Sequence, residues 1–91
     1  MNSAADVWEK VLVLMQAEMT AVTINTWFDD VQAVALEDTR LVLYSPTEFK
    51  RNIISSRYVP TIQKALRELF SFDFQVEVLD EAGMERYRQD Q

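Results

Sequence analysis

Apolar and polar positions follow two different periods along the chain, and the switches between them divide it into elements. Val7, Trp8, Val11, Leu12, Leu14, Met15 and Met19 recur at helical spacing. Ser3 precedes them as a cap, and Asp6 follows three residues later to take up backbone N–H groups of the first turn. On a helical wheel these apolar side chains fill a sector about 160° wide, broader than the ~100° stripe a single core contact needs. Val13 falls outside even that sector. The pattern predicts a helix to about Met19 with apolar surface to spare.

Thr20 then caps a short second helix, expected to run through Phe28, with Val22, Ile24, Trp27 and Phe28 as its bulk. It ends on Asp29-Asp30, two carboxylates facing the negative end of the helix dipole. That end reads either as solvated or as an acidic contact for a basic partner. Two strands follow, Val31 to Leu36 and Arg40 to Tyr44, joined by the polar turn Glu37-Asp38-Thr39. In the second, Leu41 and Leu43 point one way, Val42 and Tyr44 the other.

Pro46 stops that strand, and Thr47 can cap a third helix. From Glu48 to Phe70 the spacing is helical but interrupted at Pro60, which lacks the N–H of a helix interior, so two segments or a kink are expected. Ile54, Tyr58, Ile62, Leu66 and Leu69 share a face if the phase survives the proline. Phe49 lies about 140° from its centre on the wheel and packs elsewhere or stands exposed. A last strand alternates Phe72, Phe74, Val76 and Val78 inward with Asp73, Gln75 and Glu77 outward. Asp80-Glu81-Ala82-Gly83 ends the apolar pattern, and Met84 to Gln91 reads as a frayed tail or the start of a linker.

The predicted architecture is therefore an α+β two-layer domain of order α-α-β-β-α-β, its third helix kinked or split at Pro60 and its helices on one side of a three-stranded sheet. If the second and third strands are parallel, the helical return between them is a right-handed crossover. Residues 1–79 form the domain and 80–91 the tail or linker.

Composition narrows the chemistry. With no cysteine and no histidine in 91 residues, disulfides, thiolate nucleophiles and the commonest metal and base sites are excluded. There is no GxxxxGK[ST] loop, no GxGxxG and no HExxH. No catalytic residue, metal site or cofactor is therefore expected. Lys and Arg number 9 against 15 Asp and Glu, a formal charge of −6 that argues against a protein built chiefly to grip phosphate backbones. No apolar run approaches the ~18 residues of a membrane span. Met1-Asn2-Ser3-Ala4-Ala5-Asp6 lacks a signal peptide's basic start, so an intracellular, cytoplasmic chain is expected.

Two binding readings remain. The backbone clamp of KH domains needs a GXXG loop, and the only glycine is Gly83. A weaker single-stranded nucleic-acid contact could use Lys50, Arg51 and Arg57, with Lys64 and Arg67 beyond, unless these simply form a solvated face. The other reading is a protein-interaction module. Trp8 and Phe49 are aromatic bulk that is either core or an exposed anchor for a partner.

In their order and spacing, Trp8 and Leu12, Ile24 and Trp27, and Gln32-Ala33 resemble the N-terminal domain of the bacterial chromosomal replication initiator DnaA. The strongest stretch is Leu41-Val42-Leu43-Tyr44-Ser45-Pro46-Thr47-Glu48-Phe49, similar to that family's L-x-L-x-A-P-N-x-F. Arg57-Tyr58 and Phe74-Gln75-Val76-Glu77-Val78 follow at matching distances. The resemblance implies a KH-like fold without the GXXG loop, and a role in self-association and in recruiting the replicative helicase and regulators at the origin. ATPase and duplex-binding parts would lie in other domains, making this chain an excised domain or a paralogue of it. It also implies self-association through Trp8 and Leu12 and helicase contact through Phe49, with Thr23, Ile24 and Trp27 beside it. Thr23 stands where the family commonly has glutamate, Thr47 where it has asparagine, and Asp29-Asp30 where a basic or proline-containing end is usual.

Overall fold

In the computed structural model, residues 3–91 are described; Met1 and Asn2, part of the stretch read for a signal peptide, lie outside them. The order is α1 (Ala4–Met15), α2 (Ala21–Phe28), β1 (Gln32–Glu37), β2 (Arg40–Tyr44), α3 (Glu48–Ile53), a π-helical turn (Ile54–Tyr58), α4 (Val59–Phe70), β3 (Gln75–Leu79) and α5 (Glu81–Gln89). This is the expected α+β order with one helix added.

Ser3 caps α1 by accepting from the Asp6 N–H, and Thr20 caps α2 by accepting from the Thr23 N–H. Helix α1 stops at Met15, short of Met19, because Gln16, Ala17 and Glu18 donate to carbonyls three residues back and tighten the chain into turns. Val31 also leaves its predicted strand, since its N–H bonds the Phe28 carbonyl and closes the turn after α2.

The sheet is mixed, in the order β1-β2-β3. β1 and β2 form an antiparallel hairpin with a bulge between Ala33 and Ala35, turning through Asp38 at φ 48°. β2 and β3 run parallel, pairing Leu41 with Val76 and Leu43 with Val78. On that face α1, α2 and α4 bury Val7, Trp8, Val11, Met15, Ile24, Phe28, Ile62 and Leu66 against Leu41, Leu43 and Val78.

The split near Pro60 is resolved by widening the helix. The Val59 N–H reaches five residues back to the Ile54 carbonyl, and the Ser56 hydroxyl donates to the Asn52 carbonyl at 2.8 Å. Pro60 then sits in the first turn of α4, where its missing N–H leaves no bond unmade. Ser71, left-handed at φ 66°, ends α4, its N–H bonding the Arg67 carbonyl.

Three expectations are corrected. Phe72 is outside the last strand and 46% exposed, stacked on buried Phe74 rather than facing inward from the sheet. Within 80–91, read as a tail or the start of a linker with Met84 to Gln91 frayed, Glu81–Gln89 is helical: Asp80 accepts from the Gly83 N–H at 2.8 Å, and Arg86 and Arg88 sit in the last turn. Finally, the helices do not all lie on one side. Val42 and Leu79 are buried on the second face, which α5 covers through Gly83 against Leu79 and the Tyr87 hydroxyl donating to Glu37 at 3.0 Å. The second face is thus covered in part, with Gln75 and Glu77 left exposed on it.

Candidate protein-interaction surface

Thr23 and Trp27 stand one turn apart on α2 and share a face. Trp27 is half-buried, and its ring centroid lies 6.1 Å from Phe49 in the first turn of α3. Phe49 is 66% exposed. Trp27 also lies 6.3 Å from Tyr58, which meets Phe28 at 5.8 Å, and Phe28 meets Trp8 at 5.7 Å. A continuous run of rings therefore leads from the core to an exposed phenylalanine. Such a side chain offers a partner a large apolar contact area.

Two placements correct the sequence reading. Trp8 is 5% exposed, its ring packed edge to face on Phe28, so it is core and not a surface anchor, while Leu12, Leu14 and Met19 of the same apolar sector stay half-buried. Ile24 points inward and is buried, leaving Thr23, Trp27 and Phe49 as the accessible part of the predicted set. Leu12 is half-buried on α1. Beside it, Val13, 63% exposed, lines a shallow groove with Leu14 and Leu69.

The basic residues of the α3 region are not a free patch. Lys50 holds Asp29 at 3.1 Å and Asp30 at 3.8 Å. Arg51 donates through Nε to the Val78 carbonyl at 2.8 Å and through Nη1 to the Asn52 Oδ1 at 3.1 Å. Arg57 is exposed on the π-helical turn. The pair Asp29-Asp30, read as solvated or partner-facing, is thus occupied within the molecule.

Carboxylates gather round a surface concavity of about 510 Å³ lined by Pro46, Glu48, Asp80, Glu81, Ala82 and Glu85. Among the described residues, no three acidic side chains come together in a way that could hold a metal ion. No helix among them is long and apolar enough to cross a membrane.

The shifted titrating groups belong to the docking of α5. A hydrogen bond from Arg40, reinforced by one from Tyr87, holds Glu37 below its ordinary value, and the same Glu37 contact raises Arg40. Tyr44 is raised by its hydrogen bond to Glu81, and Tyr87 by desolvation first and the Glu37 carboxylate second.

The family model described as the DnaA N-terminal domain matches residues 5–68. Among curated proteins, the chromosomal replication initiator protein DnaA of Thermoanaerobacter pseudethanolicus is 30% identical over 83 residues, and that of Caldanaerobacter subterraneus subsp. tengcongensis is 29% identical over 83. Each match covers 91% of this chain but 18% of the relative, so the chain spans under a fifth of their length.

Proposed function

The chain belongs to the DnaA N-terminal domain family, a non-catalytic domain of replication initiation, and from that premise we propose that it is a protein-interaction module of a chromosomal replication initiator. In this reading it self-associates and recruits the replicative helicase and regulators at the origin, in the cytoplasm. The observation that carries it is the exposed Phe49, backed by Trp27 and Tyr58. Thr23 completes the helicase-facing surface one turn before Trp27.

For self-association the reading keeps α1, with Leu12 at the contact and Trp8 shaping it from beneath. We read the α-α-β-β-α-β order as KH-like, with protein contacts replacing a GXXG clamp, since the single glycine lies in α5. Contacts through a few aromatic anchors are individually weak, and become effective when many initiators are held side by side. A weak single-strand contact would rest on Arg57, because Lys50 and Arg51 have partners within the molecule.

The test is a titration of isotope-labelled domain with purified replicative helicase of the same organism, followed by amide chemical shifts. Perturbations centred on Thr23, Trp27 and Phe49 are expected. Perturbations confined to α4 or α5, or none at saturating helicase, overturn the assignment.

A further inference from the structure

We propose that Lys50 is a positioning residue for this surface: by bridging Asp29 and Asp30 it ties the start of α3 to the end of α2 and so holds Phe49 beside Trp27. The proposal rests on reading the Phe49 surface as the partner-docking site, and it adds what fixes that surface in place.

Helix α3 has no buried residue of its own; its far end is fixed where it runs on into the π-helical turn at fully buried Ile54, and its first turn, which carries Phe49, lies away from that anchor. Its side-chain ties to the rest of the fold are polar: Arg51 to the Val78 carbonyl at the end of β3, and Lys50 to the carboxylates after α2. Of these polar ties, only the second reaches the end of the element that carries Trp27. Lys50 immediately follows Phe49, so its bridge and the ring contact of 6.1 Å close the same gap from adjacent positions.

The charges make the cation hard to replace. Asp29 and Asp30 sit where the dipole of α2 is negative, and the Oδ1 of Asp30 is buried without a hydrogen-bond partner. Lys50 is the ammonium set against all of this, and its side chain is 26% exposed against 60% for Asp29 and 36% for Asp30. Coverage of this kind shields the bridge from part of the ionic screening that weakens open surface pairs. It also turns the ammonium toward the protein and away from any phosphate ligand. A neutral residue in its place leaves two like charges facing a first turn of α3 that only the ring contact still joins to α2, and the competent placement of Phe49 becomes one among several. Apparent affinity then falls by the fraction of molecules that keep it.

The test compares Lys50→Met, Lys50→Arg and the double variant Asp29→Asn with Asp30→Asn, each confirmed folded by circular dichroism. Two readouts are taken: nuclear Overhauser cross-peaks between the Trp27 and Phe49 rings in the free protein, and affinity for the purified replicative helicase. Lys50→Met and the double Asn variant are expected to lose the cross-peaks and to bind roughly three- to tenfold more weakly, as befits loss of one partly covered ion-pair cluster. Lys50→Arg, which still reaches both carboxylates, is expected to restore both. Cross-peaks that persist in Lys50→Met overturn the proposal. So does a double Asn variant that binds normally while Lys50→Met is weakened, because Lys50 would then be touching the partner itself. If the unaltered domain does not bind helicase, the docking reading fails, and the cross-peaks still decide whether Lys50 positions Phe49.

Discussion

Trp8 meets Phe28 edge to face, with ring centroids 5.7 Å apart and planes at 64°. The tryptophan of α1 is thereby the inner end of the ring series whose outer end is Phe49. Trp8→Ala removes a buried aromatic and opens a cavity, so it is expected to cost about 3–5 kcal/mol of stability. Trp8→Phe keeps most of the packing and is expected to cost much less. Urea denaturation of both variants measures this; a folded Trp8→Ala of unaltered stability would contradict the burial.

Ser45 is wholly buried between β2 and Pro46, its backbone N–H bonds the Leu79 carbonyl, and its hydroxyl has no partner. The family motif has alanine at this point. Ser45→Ala removes an unsatisfied polar atom and is expected to be neutral or to stabilise by up to about 1–2 kcal/mol. A clear loss of stability in thermal denaturation would mean that the hydroxyl holds an ordered partner.

Thr47 sits in cap geometry before α3, at φ −93° and ψ 116°, yet its side chain makes no capping hydrogen bond. Asparagine, the family's usual residue, reaches the exposed N–H groups more readily. Thr47→Asn is expected to stabilise α3 by a few tenths to about 1 kcal/mol. Amide hydrogen exchange of Phe49 to Arg51 should slow accordingly, and faster exchange would contradict the assignment.

How much of the fold is legible in the sequence depends on how each element is held. Helices α1, α2 and α4 and strands β2 and β3 are legible in existence and order, because each packs apolar residues at regular spacing on the shared core, whereas the ends of α1 and β3 are not. Helix α5 is not legible in this way, since it meets the second sheet face through Gly83 and Tyr87 and is secured by polar links. Its visible signals are Asp80 as cap and Arg86 and Arg88 near the end, which periodicity ignores. For the same reason Leu79 looks like the last residue of a fading strand, although it is buried. Phe49 is legible as off-face, whereas the Lys50 bridge is not, because residues 21 positions apart share no local pattern.

Docking of α5 is expected to respond to pH at both ends. Tyr44 and Tyr87 hold their protons more tightly folded than unfolded. Their contribution is complete below the ordinary tyrosine value of about 10 and is lost as pH rises through the raised folded values. Glu37 works oppositely: its contribution is present above its unfolded value and is lost as pH falls through the lowered folded one. Absorbance at the tyrosinate band, compared with that of Tyr44→Phe and Tyr87→Phe variants, should show these two tyrosines ionising above the ordinary value, together with faster exchange in α5. Ionisation of Tyr44 and Tyr87 at the ordinary value would contradict the hydrogen bonds to Glu81 and Glu37.

The central claim, that an exposed aromatic surface on a folded scaffold recruits the helicase, is tested most directly by Phe49→Ala. Because Phe49 is 66% exposed, the variant is expected to unfold within about 0.5 kcal/mol of the unaltered domain, the usual range for a surface change. As an anchor, its loss is expected to weaken helicase binding by at least about tenfold in a calorimetric titration. A folded Phe49→Ala domain that binds the helicase with unchanged affinity would contradict the account.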